Sequence, residues 1–215
     1  VLEYNKVKKA EIDGNEWVIH LQKGKKIKSK ILINASGPWI NETLKKNIKI
    51  KSKNKIRLVK GSHIITKKLY KKDVAFTFQN TDKRIIFVIP YKKKFSLIGT
   101  TEVEVKSPEN KEISKKEIQY LIRSVNNYLE KQISTKDIVD SYSGIRPLIE
   151  DFNQASKVTR DYIFDLNIIK KLPLLSIYGG KLTTYRKLAE NVLLDLEKFL
   201  PKTKMGPWTH KKNLF

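Results

Sequence analysis

The stretch "SIYGGKLTTYRKLAE" (residues 176–190) joins an apolar, strand-like run to an amphipathic helix through two glycines. Unpaired N–H groups at a helix start, and glycines that let a ligand approach the backbone, are typical of contacts with anions or dinucleotides. The spacing excludes a P-loop, because Leu175 and Leu182 stand where that motif needs Gly and Ser or Thr. The stretch therefore predicts a strand, a turn and a helix. An N-capped helix with the glycines as turn formers remains the alternative to a ligand site.

The composition limits the class of protein. The chain has 215 residues, 40% of them hydrophobic, which is enough for one large domain or two small ones. No window approaches the roughly 20 consecutive apolar residues of a transmembrane helix. There is no cysteine, so disulfides and zinc–thiolate sites are excluded. The three histidines are His20, His63 and His210. They are too far apart in the sequence to suggest a local metal motif, so no metal site is predicted.

The formal net charge of +23 points first to nucleic acid or an anionic membrane as a partner. Only six of the 45 basic residues are arginines, however, and the lysines are scattered along every segment. Scattered lysines are typical of solvated loops, whereas an arginine retained in such a chain indicates a site that needs a planar guanidinium. A nucleic-acid-binding module should interleave aromatic and basic residues on one face. Here Phe and Tyr fall at the spacing of strand cores, so nucleic acid is not expected as a partner and this module stays a distant alternative.

Hydrophobic periodicity predicts a mixed α+β fold. Residues 111–133 show the apolar spacing of an amphipathic helix, and Ser114 with Glu117 forms a capping box at its start. Further helices are predicted over residues 39–46 and 182–199. Short strands are predicted at 2–12, 16–23, 27–34, 56–67, 74–79, 84–90, 95–105, 137–146, 157–165 and 174–178. This order indicates a long antiparallel sheet and a final strand–glycine–helix unit.

Two other motifs carry candidate binding residues. The buried strand ending in "INASGPW" (33–39) places a small-residue turn where a flat group can approach the backbone. Arg146 in "YSGIRPL" and Arg160, fourteen residues later, suit a phosphate or carboxylate if they converge across a hairpin. Local ion pairs with Glu150 and Asp161 are the alternative for these arginines.

Together, seven segments in this order resemble FAD-dependent glycerol-3-phosphate dehydrogenases of the quinone-linked, aerobic or mitochondrial type. The resemblance covers nearly the whole chain and is more specific than a general likeness to D-amino-acid-oxidase-like flavoproteins. The segments are "INASGPW" (33–39), "IRLVKGSHIIT" (56–66), "NTDKRIIFVIPY" (80–91), "FSLIGTTEVE" (95–104), "YSGIRPL" (142–148), "VTRDYIFD" (158–165) and "LLSIYGGKLTTYRKLAE" (174–190).

This resemblance implies a partial Rossmann-like FAD-binding domain with an antiparallel substrate-binding sheet, on the scaffold of D-amino-acid oxidase and glutathione reductase. If two of the turns meet one flavin, residues 31–34 and 174–178 should be neighbouring strands of one sheet. The implied domains are an FAD-binding domain at 1–50 and 170–200, a substrate-binding (cap) domain at 51–169, and the start of a further C-terminal region at 201–215.

The implied reaction is oxidation of sn-glycerol 3-phosphate to dihydroxyacetone phosphate, with hydride transfer from C2 to flavin N5 of FAD and electron transfer to a membrane quinone. His63 is the candidate acceptor of the hydroxyl proton, with Lys181 or a bound water as alternatives. Lys181 is also expected to stabilise negative charge at the flavin N1/O2 edge. The implied substrate-binding residues are Arg146, Arg160, Thr101, His63 and Lys181. The implied FAD-binding residues are Ala35, Ser36, Gly37, Gly180, Lys181, Leu182 and Thr183.

The sequence contains no G-x-G-x-x-G fingerprint, the turn that binds the dinucleotide pyrophosphate in such folds. The chain is therefore expected to be inactive alone and to be part of a longer enzyme, cytoplasmic and peripherally associated with the inner (plasma) membrane. The expected partners are glycerol 3-phosphate, a membrane quinone, an anionic membrane surface and a second copy of the chain in a homodimer. A glycerol-3-phosphate oxidase that uses oxygen, or another FAD-dependent oxidoreductase of the same scaffold, remains open.

Overall fold

The chain divides into two compact units in the computed structural model. The first unit comprises Val1–Ile56 with Pro147–Phe215, and the second unit comprises Arg57–Arg146. Among the described residues, no helix is long and apolar enough to cross a membrane. The assignment of an FAD-binding and a substrate-binding domain stays a prediction. The structure describes residues 1–149, 162–202 and 208–211.

An antiparallel sheet opens the first unit and consists of β1 (Val7–Asp13), β2 (Glu16–Leu21) and β3 (Lys26–Ser29). The turn between β1 and β2 contains Gly14 at a positive φ of 58°, a conformation that favours glycine. Trp17 on β2 is buried, and its indole N–H donates to the carbonyl oxygen of Pro173 at 3.1 Å. This bond ties β2 to a segment more than 150 residues away in the sequence.

The second sheet of the first unit has the order β11 (Tyr162–Ile169), β12 (Leu172–Gly179) and β4 (Leu32–Asn34). β4 runs parallel to β12, with Leu32 opposite Leu174 and Asn34 opposite Ser176. The prediction that residues 31–34 and 174–178 are sheet neighbours is therefore confirmed. Parallel strands end at the same edge of a sheet, so the turns after β4 and β12 lie at one edge.

The prediction of a single strand over 27–34 is wrong, because this stretch supplies β3 to one sheet and β4 to the other. The break falls at residues 30–31, where the Ser29 hydroxyl donates to the Ile31 carbonyl at 2.7 Å and accepts from the Ile31 amide at 3.3 Å. A hydroxyl that pairs with a nearby backbone group replaces the ladder bonds of a continuous strand.

The helices of the first unit follow the two turns. After Ser36, a 3₁₀ turn (Gly37–Trp39) leads into α1 (Ile40–Glu42) and a π-helical turn (Thr43–Ile48). After Gly180, a 3₁₀ turn (Leu182–Thr184) leads into α3 (Tyr185–Asp195), and short 3₁₀ turns follow at Glu197–Phe199 and Thr209–Lys211. α3 packs Leu188 and Val192, and the residue after the helix, Leu196, against the second sheet around Leu175. The main core of the unit contains Ala10, Trp17, Ile19, Leu21, Ile40, Leu44, Ile149, Leu172, Leu174 and Tyr178.

The second unit is built on one large sheet. Its strands are β5 (Ile56–Lys67), β6 (Phe76–Gln79), β7 (Ile85–Tyr91), β8 (Phe95–Gly99), β9 (Val103–Val105) and β10 (Ile138–Ile149). Their order in the sheet is β10, β5, β8, β7, β6, with β9 also paired to β5. Both β8 and β9 run antiparallel to β5. The predicted strand 95–105 is interrupted between Gly99 and Val103.

Helix α2 (Lys115–Asn126) covers one face of this sheet. The predicted capping box is confirmed, since the Ser114 hydroxyl accepts from the Glu117 amide and the Glu117 carboxylate accepts from the Ser114 amide. The helix is shorter than the predicted 111–133, because the Asn126 side chain bonds both the amide and the carbonyl of Ile133 at 2.9 Å and turns the chain. A short 3₁₀ turn (Thr135–Asp137) then leads into β10. The core under α2 contains Ile64, Phe78, Ile86, Val88, Ile98, Leu121, Ile122, Val125 and Ile133.

Candidate active site

His63 lies in the second unit, on the face of the sheet opposite to the α2 core. Its neighbour Ile64 is buried in that core, and side chains alternate between the two faces of a strand. Across the sheet, His63 on β5 is opposite Gly99 on β8, which in turn is opposite Phe87 on β7. A Cβ atom at Gly99 would lie 2.1 Å from Cδ2 of the imidazole. The ring of His63 therefore occupies the space that any side chain at position 99 would need.

The imidazole of His63 is held between Gly99 and an aromatic ring. Tyr142 on β10 stacks on it with a centroid distance of 4.8 Å and an interplanar angle of 8°. Burial lowers the pKa of His63, and the nearby positive charge of Arg146 lowers it further. Its Nδ1 atom is buried and meets no hydrogen-bond partner within the described part of the chain. The ring is thus neutral near pH 7, and Nδ1 keeps a hydrogen-bonding position that no described residue uses.

Arg146, near the end of β10, is the positive group of the same site. Its Nη2 donates to the Thr100 hydroxyl at 3.3 Å, while its buried Nη1 finds no partner among the described residues. A Cβ atom at Gly61 would come within 2.6–2.8 Å of the Thr100 hydroxyl and both terminal guanidinium nitrogens. Gly61 therefore leaves room for the guanidinium. A partly buried cation with no anionic partner among the described residues is costly, so this arrangement favours the binding of an anion.

Thr101 and Thr100 have different surroundings. The Thr101 hydroxyl is buried, donates to the Glu117 carboxylate at 2.9 Å and accepts from the Ser62 amide at 3.0 Å. Thr100 instead contacts Arg146. The structure therefore brings His63 and Arg146 together, and it places Thr100 beside them. A substrate contact by Thr101 stays a prediction.

Arg160 lies outside the described residues, as do Asp161 and Glu150. The predicted convergence of two arginines on a phosphate, and the alternative local ion pairs, therefore stay predictions. Within the second unit, Arg146 provides the guanidinium beside His63.

The candidate cofactor-binding residues of the first unit occupy the two turns at one edge of the β12–β4 pair. Ala35, Ser36 and Gly37 follow β4, and Gly37 has a φ of +56°. The buried Asn34 shapes this turn: its side-chain oxygen accepts from the Ser36 hydroxyl at 2.6 Å, and its amide nitrogen donates to the Ile40 carbonyl at 3.1 Å. The structure therefore fixes the turn through the side chain that ends the strand.

The second turn is the stretch that follows β12. Gly179 and Gly180 have φ values of +75° and +97°, which favour glycine. Lys181 and Thr183 are exposed, and Leu182 is 89% exposed although it is a large apolar residue. The structure thus brings 35–37 and 180–183 to a common sheet edge.

Comparison with known proteins decides the family. A family model described as FAD dependent oxidoreductase matches residues 1–186. The chain belongs to this family. The expected flavoprotein fold is confirmed by the solved glycerol-3-phosphate dehydrogenase of Bacillus halodurans in complex with FAD. It superimposes with a TM-score of 0.72 at 27% identity and covers 92% of this chain and 39% of that one.

Curated proteins similar to this chain include two kinds of polyol-phosphate dehydrogenase. A glycerol-3-phosphate dehydrogenase of Pseudomonas aeruginosa is 43% identical over 206 residues, covering 92% of this chain and 40% of the relative. A D-erythritol 1-phosphate dehydrogenase of Brucella abortus is 36% identical over 217 residues, covering 98% of this chain and 43% of the relative. The chain therefore spans about two fifths of the length of these relatives.

Local sequence patterns did not indicate three residues of the candidate site: Gly61, Gly99 and Thr100. "VKGSHIIT" and "LIGTTEVE" do contain the two glycines, each inside or at the end of a strand. A glycine within a strand is a signal for close approach of another group. Which group approaches each glycine, however, depends on which strands pair. The β5–β8 register, for example, places Gly99 opposite His63, which lies far from it in the sequence.

Proposed function

We propose that the protein to which this chain belongs oxidises sn-glycerol 3-phosphate to dihydroxyacetone phosphate, with FAD as its cofactor. The single observation that carries the proposal is the pairing of a neutral imidazole with a guanidinium that has an unpartnered, buried nitrogen on one face of the second-unit sheet. A polyol phosphate needs both groups, because it presents an anion to be bound and a hydroxyl to be deprotonated.

Arg146 is the residue that binds the phosphate. Its guanidinium offers parallel N–H donors that match two phosphate oxygens, and Nη1 has no competing acceptor among the described residues. The Thr100 hydroxyl holds the other terminal nitrogen in place. Gly61 keeps the space around the guanidinium free of a side chain.

His63 is the residue that accepts the proton of the substrate hydroxyl. Its lowered pKa keeps the ring unprotonated near neutral pH, as a general base requires. The stacked Tyr142 fixes the plane of the ring, and burial raises the pKa of the Tyr142 hydroxyl, so this neighbour remains neutral. Lys181 and a bound water stay alternative acceptors.

The residues of the first unit fit an FAD ring. Two glycine-containing turns end parallel strands at one edge, and the exposed Leu182 supplies apolar surface there. The backbone of 35–37 and 180–183 would hold the cofactor, and Lys181 would place a positive charge near it. When bound, FAD supplies the hydride acceptor, at flavin N5.

The acceptor of the electrons and the location of the protein are further parts of the proposal. A quinone acceptor requires peripheral contact with the cytoplasmic side of the inner (plasma) membrane. The net charge of +23 supports attraction to an anionic lipid surface. A homodimer stays a prediction.

Oxidation of D-erythritol 1-phosphate is the second candidate function, favoured by the 36% identity to the Brucella abortus enzyme. Both substrates carry a phosphate and a secondary hydroxyl, so Arg146 and His63 would serve them in the same way. The two substrates differ in the length of their carbon chain, and contacts with Arg146 and His63 do not distinguish between these lengths.

The test uses the full-length protein that contains these residues. Dye-coupled oxidation of glycerol 3-phosphate, D-erythritol 1-phosphate and glycerol is measured, together with oxygen uptake without quinone. We expect a phosphate ester to be preferred over glycerol, and His63→Asn to lower kcat by about 10²–10⁴-fold. His20→Asn is the matched control, since His20 pairs with Glu11 on the rim of the first unit. Equal kcat/KM for glycerol and both phosphate esters would contradict the proposal. Oxygen uptake at the rate of dye reduction would identify oxygen, rather than quinone, as the electron acceptor.

A further inference from the structure

Three pairs of adjacent residues in the second unit divide between two environments. One member of each pair belongs to the candidate active site, and these members are called the pocket set: His63, Thr100 and Tyr142. The other member of each pair carries a hydroxyl that points into the interior, and these are called the hydroxyl set: Ser62, Thr101 and Ser143. Each strand or strand end therefore presents one side chain to the site and the next one to the opposite side.

The hydroxyl set converges on one oxygen of Glu117. Its Oε1 accepts from the Ser62 hydroxyl at 2.7 Å and from the Thr101 hydroxyl at 2.9 Å. The Ser143 hydroxyl donates to the Ser62 hydroxyl at 2.7 Å. Because a carboxylate only accepts hydrogen bonds, the direction of each hydroxyl in this chain is fixed.

The other oxygen of Glu117 is held from α2 and β5. Oε2 accepts from the amide and the hydroxyl of Ser114 at 2.9 and 2.8 Å, and from Nζ of Lys60 at 2.9 Å. Lys60 also donates to the Glu112 carbonyl at 2.6 Å. The Glu117 and Lys60 side chains are only 5% and 7% exposed. Burial raises the pKa of Glu117, but the bonds from Lys60, Ser114 and Ser62 outweigh it and hold the pKa at about 2.

A role in helix capping explains only half of these contacts. The capping box uses Oε2, whereas the bonds to Ser62 and Thr101 use Oε1. A buried ion pair is weak evidence for a contribution to stability, because desolvation of both charges opposes it. The bonds of Oε1 do, however, connect the backbone positions that precede His63 and follow Thr100.

We propose that Glu117 is a positioning residue, which acts through the hydroxyl set to fix the pocket set in place. The identity of the substrate that the pocket set serves rests on the proposed function, whereas the positioning itself does not. Releasing the Oε1 bonds frees the ring of His63 from its seat against Gly99 and Tyr142. Releasing the Oε2 bonds to Ser114 weakens the helix start alone.

The test compares neutral substitutions on the two sides of Glu117, so that the charges around His63 stay the same. Ser62→Ala and Thr101→Val remove hydroxyls that bond Oε1. Ser114→Ala removes the capping hydroxyl at Oε2, and Thr101→Ser keeps the hydroxyl at position 101. In each variant of the 215-residue chain, the titration of the His63 imidazole is followed by NMR without substrate, and the melting temperature Tm is measured.

We expect Ser62→Ala and Thr101→Val to move the His63 titration upward towards 6.5, the value of an unperturbed histidine. Ser114→Ala should lower Tm and leave the His63 titration as in the parent. Thr101→Ser, which keeps the hydroxyl, should also leave the His63 titration as in the parent. In the full-length enzyme, Ser62→Ala should reduce kcat/KM by about ten- to a hundredfold, since small displacements of reacting groups have effects of this size. An unchanged His63 titration in both Oε1 variants overturns the proposal, as does an equal shift in Ser114→Ala. A parent enzyme that oxidises none of the phosphate esters refutes the proposed function and leaves the NMR result to decide the positioning.

Discussion

Gly99 lies directly opposite His63 in the β5–β8 pair, and no side chain fits at position 99 while the imidazole keeps its place. The ring is therefore positioned by the absence of a side chain on one side and by the stacked Tyr142 on the other. This relationship makes a strand glycine part of the candidate active site, because it provides the space that the His63 ring occupies.

Gly99→Ala should therefore displace His63. The added methyl group would lie 2.1 Å from the imidazole, so the ring must move or the strands must separate. We expect a loss of stability of about 1–3 kcal/mol, typical of overpacking, together with a fall in kcat that exceeds the change in KM. Urea denaturation and steady-state kinetics on the full-length enzyme measure the two effects.

Gly144→Ala on β10 is the matched control for this substitution. No heavy atom lies within 4 Å of a Cβ atom built at Gly144, so the methyl group enters open space. This variant should keep the kinetics of the parent. Equal kinetic losses in the two variants would show that His63 does not depend on the space at Gly99.

Two structural features that depend on residues close together in the sequence were predicted correctly. The capping box of Ser114 and Glu117 and the strand–glycine–helix unit at 176–190 are confirmed, because each depends on residues within one or two turns. The neighbouring positions of residues 31–34 and 174–178 in one sheet are also confirmed, but that prediction came from the family resemblance rather than from periodicity. The family and the flavoprotein fold followed from the same resemblance.

Features that depend on strand register were not predictable from local patterns. Gly99 meets His63, and Thr100 meets Arg146, only because strands far apart in sequence align in one register. The hydrogen bonds of Glu117 Oε1 were likewise not predictable from local sequence patterns. The sequence assigns that residue to a helix cap, whereas its bonds to Ser62 and Thr101 arise from the packing of α2 near β5.

The pKa of Glu117 predicts a dependence of stability on acid pH. The folded-state pKa of about 2 lies below 4.5, the value of an unperturbed glutamate, so the unfolded chain binds the proton first as the pH falls. The contribution is fully present above pH 4.5 and is lost as the pH approaches 2. A shift of this size corresponds to about 3 kcal/mol in the free energy of unfolding.

Urea denaturation of the 215-residue chain at pH 7, 4 and 3 measures this contribution. Glu117→Gln should destabilise the chain at pH 7 and flatten the loss of stability between pH 4.5 and pH 2. Glu104→Gln is the control, since Glu104 forms an exposed ion pair with Arg57, and such pairs contribute about 0–1 kcal/mol. Parallel pH profiles in the parent and in Glu117→Gln would show that Glu117 is not the source of the acid sensitivity.

Binding of FAD by the 215-residue chain should be weak. Its sequence contains no G-x-G-x-x-G turn, so the backbone donors that hold the pyrophosphate in dinucleotide-binding folds are not available. We expect the purified chain to carry no stoichiometric flavin absorbance. Fusion of this chain to the part of the Pseudomonas aeruginosa relative that it does not cover should restore it. A yellow protein with one FAD per 215-residue chain would contradict this expectation.

Arg146→Lys gives the sharpest test of the phosphate site, in the full-length enzyme. Lysine keeps the charge but loses the paired N–H donors of the guanidinium, so one charge-assisted hydrogen bond to phosphate is lost. We expect a strong rise in KM for glycerol 3-phosphate and a cost of roughly 1.5–3 kcal/mol, or about ten- to a hundredfold in kcat/KM. Glycerol, which has no phosphate, should be a poor substrate for both the parent and the variant.

Arg57→Lys is the control for Arg146→Lys, because Arg57 forms an ion pair with Glu104 and its own side chain is 39% exposed. It should change neither kcat/KM nor the preference for phosphate esters. If Arg146 served only in an ion pair with a neighbouring carboxylate, Arg146→Lys would lower Tm and leave the ratio of kcat/KM for glycerol 3-phosphate and glycerol unchanged. An unchanged ratio would therefore remove Arg146 from the substrate site. The unpartnered Nη1 would then need another anion to explain its burial.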